Sequence, residues 1–102
     1  MLNAGKLQKR IRFKRRSGNE LVDAGIEAWA SVEPISGREL LTAVQVQASI
    51  THRVRMWYQP GITPDMLIDY NGRLMGISSI INPNDNNTEL ELLAEELVKQ
   101  PN

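Results

Sequence analysis

Along most of the chain, polar and apolar residues alternate with a period of two. From Leu7 to Arg15 the apolar residues Leu7, Ile11 and Phe13 take odd positions, while Lys6, Arg10, Arg12, Lys14 and Arg16 take even ones. That spacing predicts a strand with one buried face and one basic outer face. Residues 17–25 break the pattern with two glycines and an asparagine and read as a loop. Ile26, Ala28, Ala30 and Val32 then share one parity and predict a second strand, which Pro34 closes because proline cannot donate to a ladder. Ser36-Gly37-Arg38-Glu39 has the form of a capping box, with the serine hydroxyl accepting from the amide three residues on and the glutamate reaching back. A helix over about 37–47 should follow, with Leu40, Leu41, Val44 and Ala48 as its apolar stripe. Ile50, His52, Val54, Met56 and Tyr58 restore the two-residue period until Pro60-Gly61 ends it. Asn71-Gly72, set between Met66–Tyr70 and Arg73–Ile81, is what a type I′ hairpin requires. The last segment, Thr88 to Lys99, satisfies two periods: Leu90, Leu93, Ala94 and Leu97 suit a helix, whereas Leu90, Leu92 and Ala94 suit a strand. Propensity alone favours the helix. Four to six short strands and one short helix at this size predict a mainly β fold, a small antiparallel β-barrel or sandwich with extended loops.

Length supports one domain over residues 1–102, with one core. Hydrophobic residues make up 41% and charged residues 24%, the composition of an ordinary soluble globular chain. No apolar run of about 18 residues could span a bilayer, and the basic start lacks the apolar stretch of a secretory signal, so the chain reads as made in the cytoplasm, with no membrane partner. Cysteine is absent, which excludes disulfides, thiolate metal sites and thiol nucleophiles. Twelve basic and twelve acidic residues cancel overall but are unevenly placed. Seven of the basic ones fall within residues 1–16 without a single acid, which leaves five basic against twelve acidic side chains in the rest. Such a charge dipole suits contact with nucleic acid or head-to-tail contact between copies of one subunit.

Chemistry-bearing motifs are sparse. Glu89/Glu91 and Glu95/Glu96 are carboxylate pairs, but acids clustered near a terminus usually form a solvated face. His52, the one histidine, falls on the inward parity beside Ile50 and Val54, as a hydrogen-bonded interior histidine would; an enzyme built on it would still lack a nucleophile motif. No phosphate-binding glycine loop or zinc motif occurs, and Asn84, Asp85 and Asn86 lack the loop that calcium requires. No cofactor, metal or catalytic residue is therefore expected. Trp29 and Trp57 lie on the parity opposite the core set, where tryptophan is enriched at interfaces but can equally be covered by a helix or loop of the same subunit, and cover is the expected arrangement. The basic face of Lys6, Arg10, Arg12, Lys14 and Arg16 is the one constellation with weight. It could neutralise phosphates, which leaves a small basic β-barrel that binds nucleic acid directly as an alternative function, or it could guard a strand edge and pair with an acidic neighbour.

Several blocks then carry a resemblance over nearly the whole chain. Gly5-Lys6-Leu7, the block from Trp29 to Glu39, Thr51-His52-Arg53-Val54, Pro60-Gly61-Ile62-Thr63-Pro64, Asn71-Gly72-Arg73, Ile80-Ile81-Asn82-Pro83 and Glu89-Leu90-Glu91-Leu92 occur in the order seen in head closure proteins of tailed bacteriophages, also called head-tail joining or head completion proteins. The resemblance implies a non-enzymatic β-barrel subunit of a phage or prophage virion, placed at the head-tail junction. It implies a ring below the portal and adaptor that closes the filled head and docks the tail, with non-specific contact to packaged DNA, and it is compatible with a monomer before assembly. It makes Lys6, Arg10, Arg12, Lys14 and Arg16 candidates for a subunit or DNA-channel interface, and Ser36, Arg38 and Glu39 candidates for a partner-docking loop or helix start. Similar proteins have a long loop between early strands, of which region 17–28 looks like a shortened form. The family pattern also makes Thr88 to Glu95 the closing strand rather than a helix.

Overall fold

A computed structural model describes residues 4–35 and 50–97. Six strands, β1 (Lys9–Ser17), β2 (Glu20–Pro34), β3 (His52–Trp57), β4 (Leu67–Tyr70), β5 (Arg73–Ile81) and β6 (Glu89–Glu96), close into an antiparallel barrel in the order β1-β2-β3-β6-β5-β4. The fold is mainly β, as the alternation predicts. The expected helix over 37–47, with Ser36, Arg38 and Glu39 at its start, lies outside the described residues. Closure rests on a short ladder of three registered pairs between β1 and β4, Arg12↔Asp69, Phe13↔Ile68 and Lys14↔Leu67.

The barrel interior is filled by the inward parity of each strand, as expected for a barrel of this size. Ile11 and Phe13 from β1, Ala30 from β2, Val54 and Met56 from β3, Ile68 from β4, Met75 and Ile77 from β5, and Leu90, Leu92 and Ala94 from β6 form one cluster. Ile62 and Met66, on the loop between β3 and β4, pack against it. Segment 89–96 is a strand, so its two-residue period decides over helix propensity: Leu90, Leu92 and Ala94 are buried, and pairing with both β3 and β5 supplies the ladder. Asn71 and Gly72 both take positive φ (51° and 83°), which a type I′ turn demands and which glycine adopts without steric cost. The Gly72 N–H donates to Asp69 Oδ1 at 2.9 Å. In β5 the register slips between Ile77 and Ser79, and the slip turns Ile80 toward the core while leaving Ile81 exposed.

Region 17–25, expected as a loop, is mostly strand. The turn is Gly18-Asn19 alone, with Gly18 at φ 62° in the first central position of a two-residue hairpin, and β2 already begins at Glu20. Residues Lys14 to Ser17 pair with Glu20 to Asp23 as a regular ladder. A bulge follows, in which Ala24 and Gly25 have no opposite residue and the Gly25 N–H donates to Asp23 Oδ1 at 2.7 Å. Past Lys14, β1 has no registered partner other than β2, and β2 meets β3 only from Ala30 onward. The distal hairpin is thus a two-stranded arm beyond the barrel wall. Its side chains from Arg15 to Leu21 are exposed, so no burial imposed an alternation that could reveal it in the sequence.

Candidate interaction surface

Arg10 and Arg12 project from β1 onto the outer face, where the register places them beside Trp29 and Glu27 of β2. Arg10 Nη2 lies 2.7 Å from Glu27 Oε2 and Arg12 Nε lies 3.0 Å from Glu27 Oε1, so one carboxylate serves two guanidinium groups. The hydrogen bond from Arg10, helped by both nearby positive charges, holds the Glu27 carboxyl below its ordinary range. Lys14, half-buried at the barrel rim, approaches Asp69 Oδ2 at 4.0 Å. Of the five basic residues assigned to an interface, the structure thus gives Arg10, Arg12 and Lys14 acidic partners within the same chain. Lys6 and Arg16, together with Lys9 and Arg15, form no ion pair among the described residues. The uncompensated charge therefore sits at the arm and at the chain's start rather than along the whole strand. Glu27 and Asp69 were not singled out in the sequence. The outward parity of Glu27 was readable, but its position opposite Arg12 depends on the bulge, and Asp69 meets β1 only through barrel closure.

Elsewhere the same economy holds. Glu91 lies 3.1 Å from Arg55 Nε and 3.6 Å from Arg53 Nε. Arg73 donates two hydrogen bonds of 2.7 Å to Glu96 and lies over the Tyr70 ring, its carbon 5.6 Å from the centroid. The bidentate contact holds Glu96 below its usual range.

Trp29 and Trp57 are not covered as expected: they are 56% and 42% exposed. They stand one step beyond the registered pair Ala30↔Met56 on adjacent strands, and the Arg10 guanidinium carbon lies 5.9 Å from the Trp29 ring centroid. Both side chains leave the barrel on the face opposite the filled interior, which left no room to bury them.

His52 is 9% exposed at the start of β3. Its Nδ1 lies 2.9 Å from the Thr51 hydroxyl, which itself accepts the Glu96 N–H at 2.8 Å. The hydroxyl proton is shared between Nδ1 and the Ala94 carbonyl, 3.5 Å from the Thr51 oxygen, so the direction of the Thr51–His52 bond follows the imidazole tautomer. Burial lowers the His52 pKa from its ordinary value, with the Arg73 charge acting the same way against an opposing effect of Glu96. The interior-histidine expectation matches this environment.

These shifts set a pH dependence. Glu27 and Glu96 have lowered folded-state pKa values, so their stabilisation is present above about 4.5 and is lost as pH falls through the folded values. His52 also has a lowered value: the unfolded chain takes up a proton near 6.5 before the folded one does, which removes stability as pH falls below that point. Denaturant midpoints measured between pH 8 and pH 3 should fall in two limbs. His52→Gln should flatten the upper limb and Glu27→Gln with Glu96→Gln the lower; a lower limb unchanged in the double variant would refute these ion pairs.

The described residues form a closed barrel with a filled interior, ion pairs over its outer wall and a projecting two-stranded arm. The family of phage head completion proteins matches residues 2–97, and the chain belongs to it. It is therefore a structural protein of the phage head, associated with the virion and with other head and tail proteins, in a family that is not enzymatic. Among solved structures, the chain is similar to the solution structure of protein SF1141 from Shigella flexneri 2a, with a TM-score of 0.68 and 26% identity, over 97% of this chain and 100% of that one. No curated protein matches the chain.

Proposed function

We propose that the protein forms a ring at the head-tail connector, below the portal and adaptor, where it closes the filled head and offers a docking surface to the tail. The family supplies the head role, and the observation that carries the finer assignment is the arm, a two-stranded extension with exposed side chains that a barrel needs only if something outside it is to be reached. A ring requires two unlike surfaces on each copy, and the arm and the barrel wall are unlike. Arg15 and Arg16, free of ion pairs among the described residues, are the charges turned toward a neighbouring subunit or packaged DNA. Ser36, Arg38 and Glu39 remain candidates for the docking loop. As one domain over 1–102, the subunit would reach the junction from the host cytoplasm as a monomer or small assembly.

A phage that carries a stop codon in this gene tests the assignment. Its heads should fill, then leak DNA and fail to join tails, and the wild-type chain supplied in trans should restore both. Infectious particles of normal yield without the protein would overturn it. Direct nucleic-acid binding has no support beyond the basic residues, most of which on the outer barrel wall already have carboxylate partners.

A further inference from the structure

We infer that Asn71 is a latent covalent modification site, a succinimide-forming asparagine that Asp69 holds inert while the β4-β5 hairpin is closed. The inference stands apart from the ring proposed above. Asn71-Gly72 is the one Asn-Gly dipeptide of the chain, and glycine, without a Cβ, offers the least hindered backbone nitrogen to the preceding carboxamide. Both residues are exposed, and a Cβ on Gly72 would meet no atom within 4 Å. Asn71 also lines a groove of about 290 Å³ with Arg10, Arg12, Asp69 and Gly72, which is more room than the water consumed in the reaction needs. Conversion takes two steps. The Gly72 nitrogen gives its proton to solvent base and attacks the Asn71 side-chain carbonyl carbon; the new C–N bond forms, the bond to Nδ2 breaks, and the amide leaves as ammonia with a proton from water. Water then opens the five-membered imide, to aspartate when the bond from nitrogen to the side-chain carbonyl breaks and to isoaspartate when the bond to the main-chain carbonyl breaks.

The closed turn opposes the first step twice. With φ at 51°, Asn71 occupies the left-handed region, where ψ is about +47° and the Gly72 nitrogen lies nearly anti to Cβ across the Cα–C bond, whereas ring closure needs the two almost eclipsed. The Gly72 N–H also donates to Asp69 Oδ1 at 2.9 Å, so a carboxylate holds the proton that must leave. Asp69 is itself fixed: it registers with Arg12 on one side and Leu74 on the other, and its Oδ2 lies 4.0 Å from Lys14 Nζ. Attack therefore awaits local opening of the hairpin. Isoaspartate routes the main chain through Cβ and adds a methylene to a two-residue turn, so a hairpin that converts while open no longer fits the type I′ geometry that set its register.

The full chain is kept folded, or unfolded in urea, at mildly alkaline pH, and conversion at residue 71 is read by peptide mass spectrometry, with isoaspartate told from aspartate by its fragmentation. Circular dichroism at the incubation temperature establishes which samples are folded. The wild-type chain should convert at least about tenfold more slowly folded than unfolded. Asp69→Ala should speed conversion of the folded chain about tenfold or more and leave the unfolded rate unchanged. Lys14→Met, which removes the ion pair but leaves the acceptor, should keep the slow wild-type rate. A folded wild-type chain that converts as fast as the unfolded one would overturn the inference, and that comparison stands whether or not Asp69→Ala folds. Folded Asp69→Ala no faster than wild type would overturn it as well. So would Lys14→Met matching Asp69→Ala, because loosening of the β1-β4 seam, and not the hydrogen bond to Gly72, would then set the rate.

Discussion

Phe13→Ala should lower the unfolding free energy by about 3–5 kcal/mol, the range for deleting a large aromatic side chain from a packed core. Phe13 is fully buried and is the largest such side chain in the barrel. Its position adds to the cost, since it pairs with Ile26 of β2 on one side and with Ile68 of β4 on the other, and the β4 side is the ladder that closes the barrel. Small domains have about 5–15 kcal/mol in all, and at this size each kcal/mol moves the melting midpoint by roughly 4–8 °C, so a fall of roughly 12 °C or more is expected. Ile11→Val, two residues earlier on the same face, removes one methyl group and should cost only about 0.5–1.5 kcal/mol. Urea titrations of the three proteins check the ranking. Equal losses for the two variants would mean that the interior is not packed around Phe13.

Cutting away the arm should have the opposite profile: little effect on folding and a complete loss of assembly. Lys14 and Asp23 face each other across the hairpin, so replacing residues 15–22 with Asn-Gly joins them through a two-residue turn. The removed side chains are exposed or half-buried and lie outside the core cluster, so stability should stay within about 0.5 kcal/mol. Melting curves establish the first part. Sedimentation of the shortened chain, and its failure to restore infectivity to a phage that lacks the gene, establish the second. A shortened chain that restores full infectivity would remove the arm from any part in assembly.

Strands were legible in the sequence where burial selects one face. β3 buries His52, Val54 and Met56 and exposes Arg55 and Trp57, and that asymmetry is written in its alternation. The β4-β5 hairpin was legible because Asn-Gly is the pair best suited to its two positive φ angles. In 89–96 both periods were satisfied, since Leu93 adds an apolar position on the outer side, and only the ladders to β3 and β5 decide between them. The arm was illegible for the converse reason: Arg15 to Leu21 are all exposed, so no buried face imposes a period on them. The site divides in the same way. Parity showed that Arg10 and Arg12 point outward, but whether that charge was free depended on Glu27 and Asp69. Those partners follow from a bulge and from closure between segments more than 50 residues apart, neither of which leaves a local pattern.

Closure has a further consequence for solubility. Within the barrel every strand has a neighbour on both sides, so its backbone offers no template on which another polypeptide could grow a fibril. The hairpin beyond it has no registered strand beside either leg, and there Arg15, Arg16, Glu20 and Asp23 act as gatekeepers against indiscriminate stacking. The protein should accordingly tolerate high concentrations without forming amyloid.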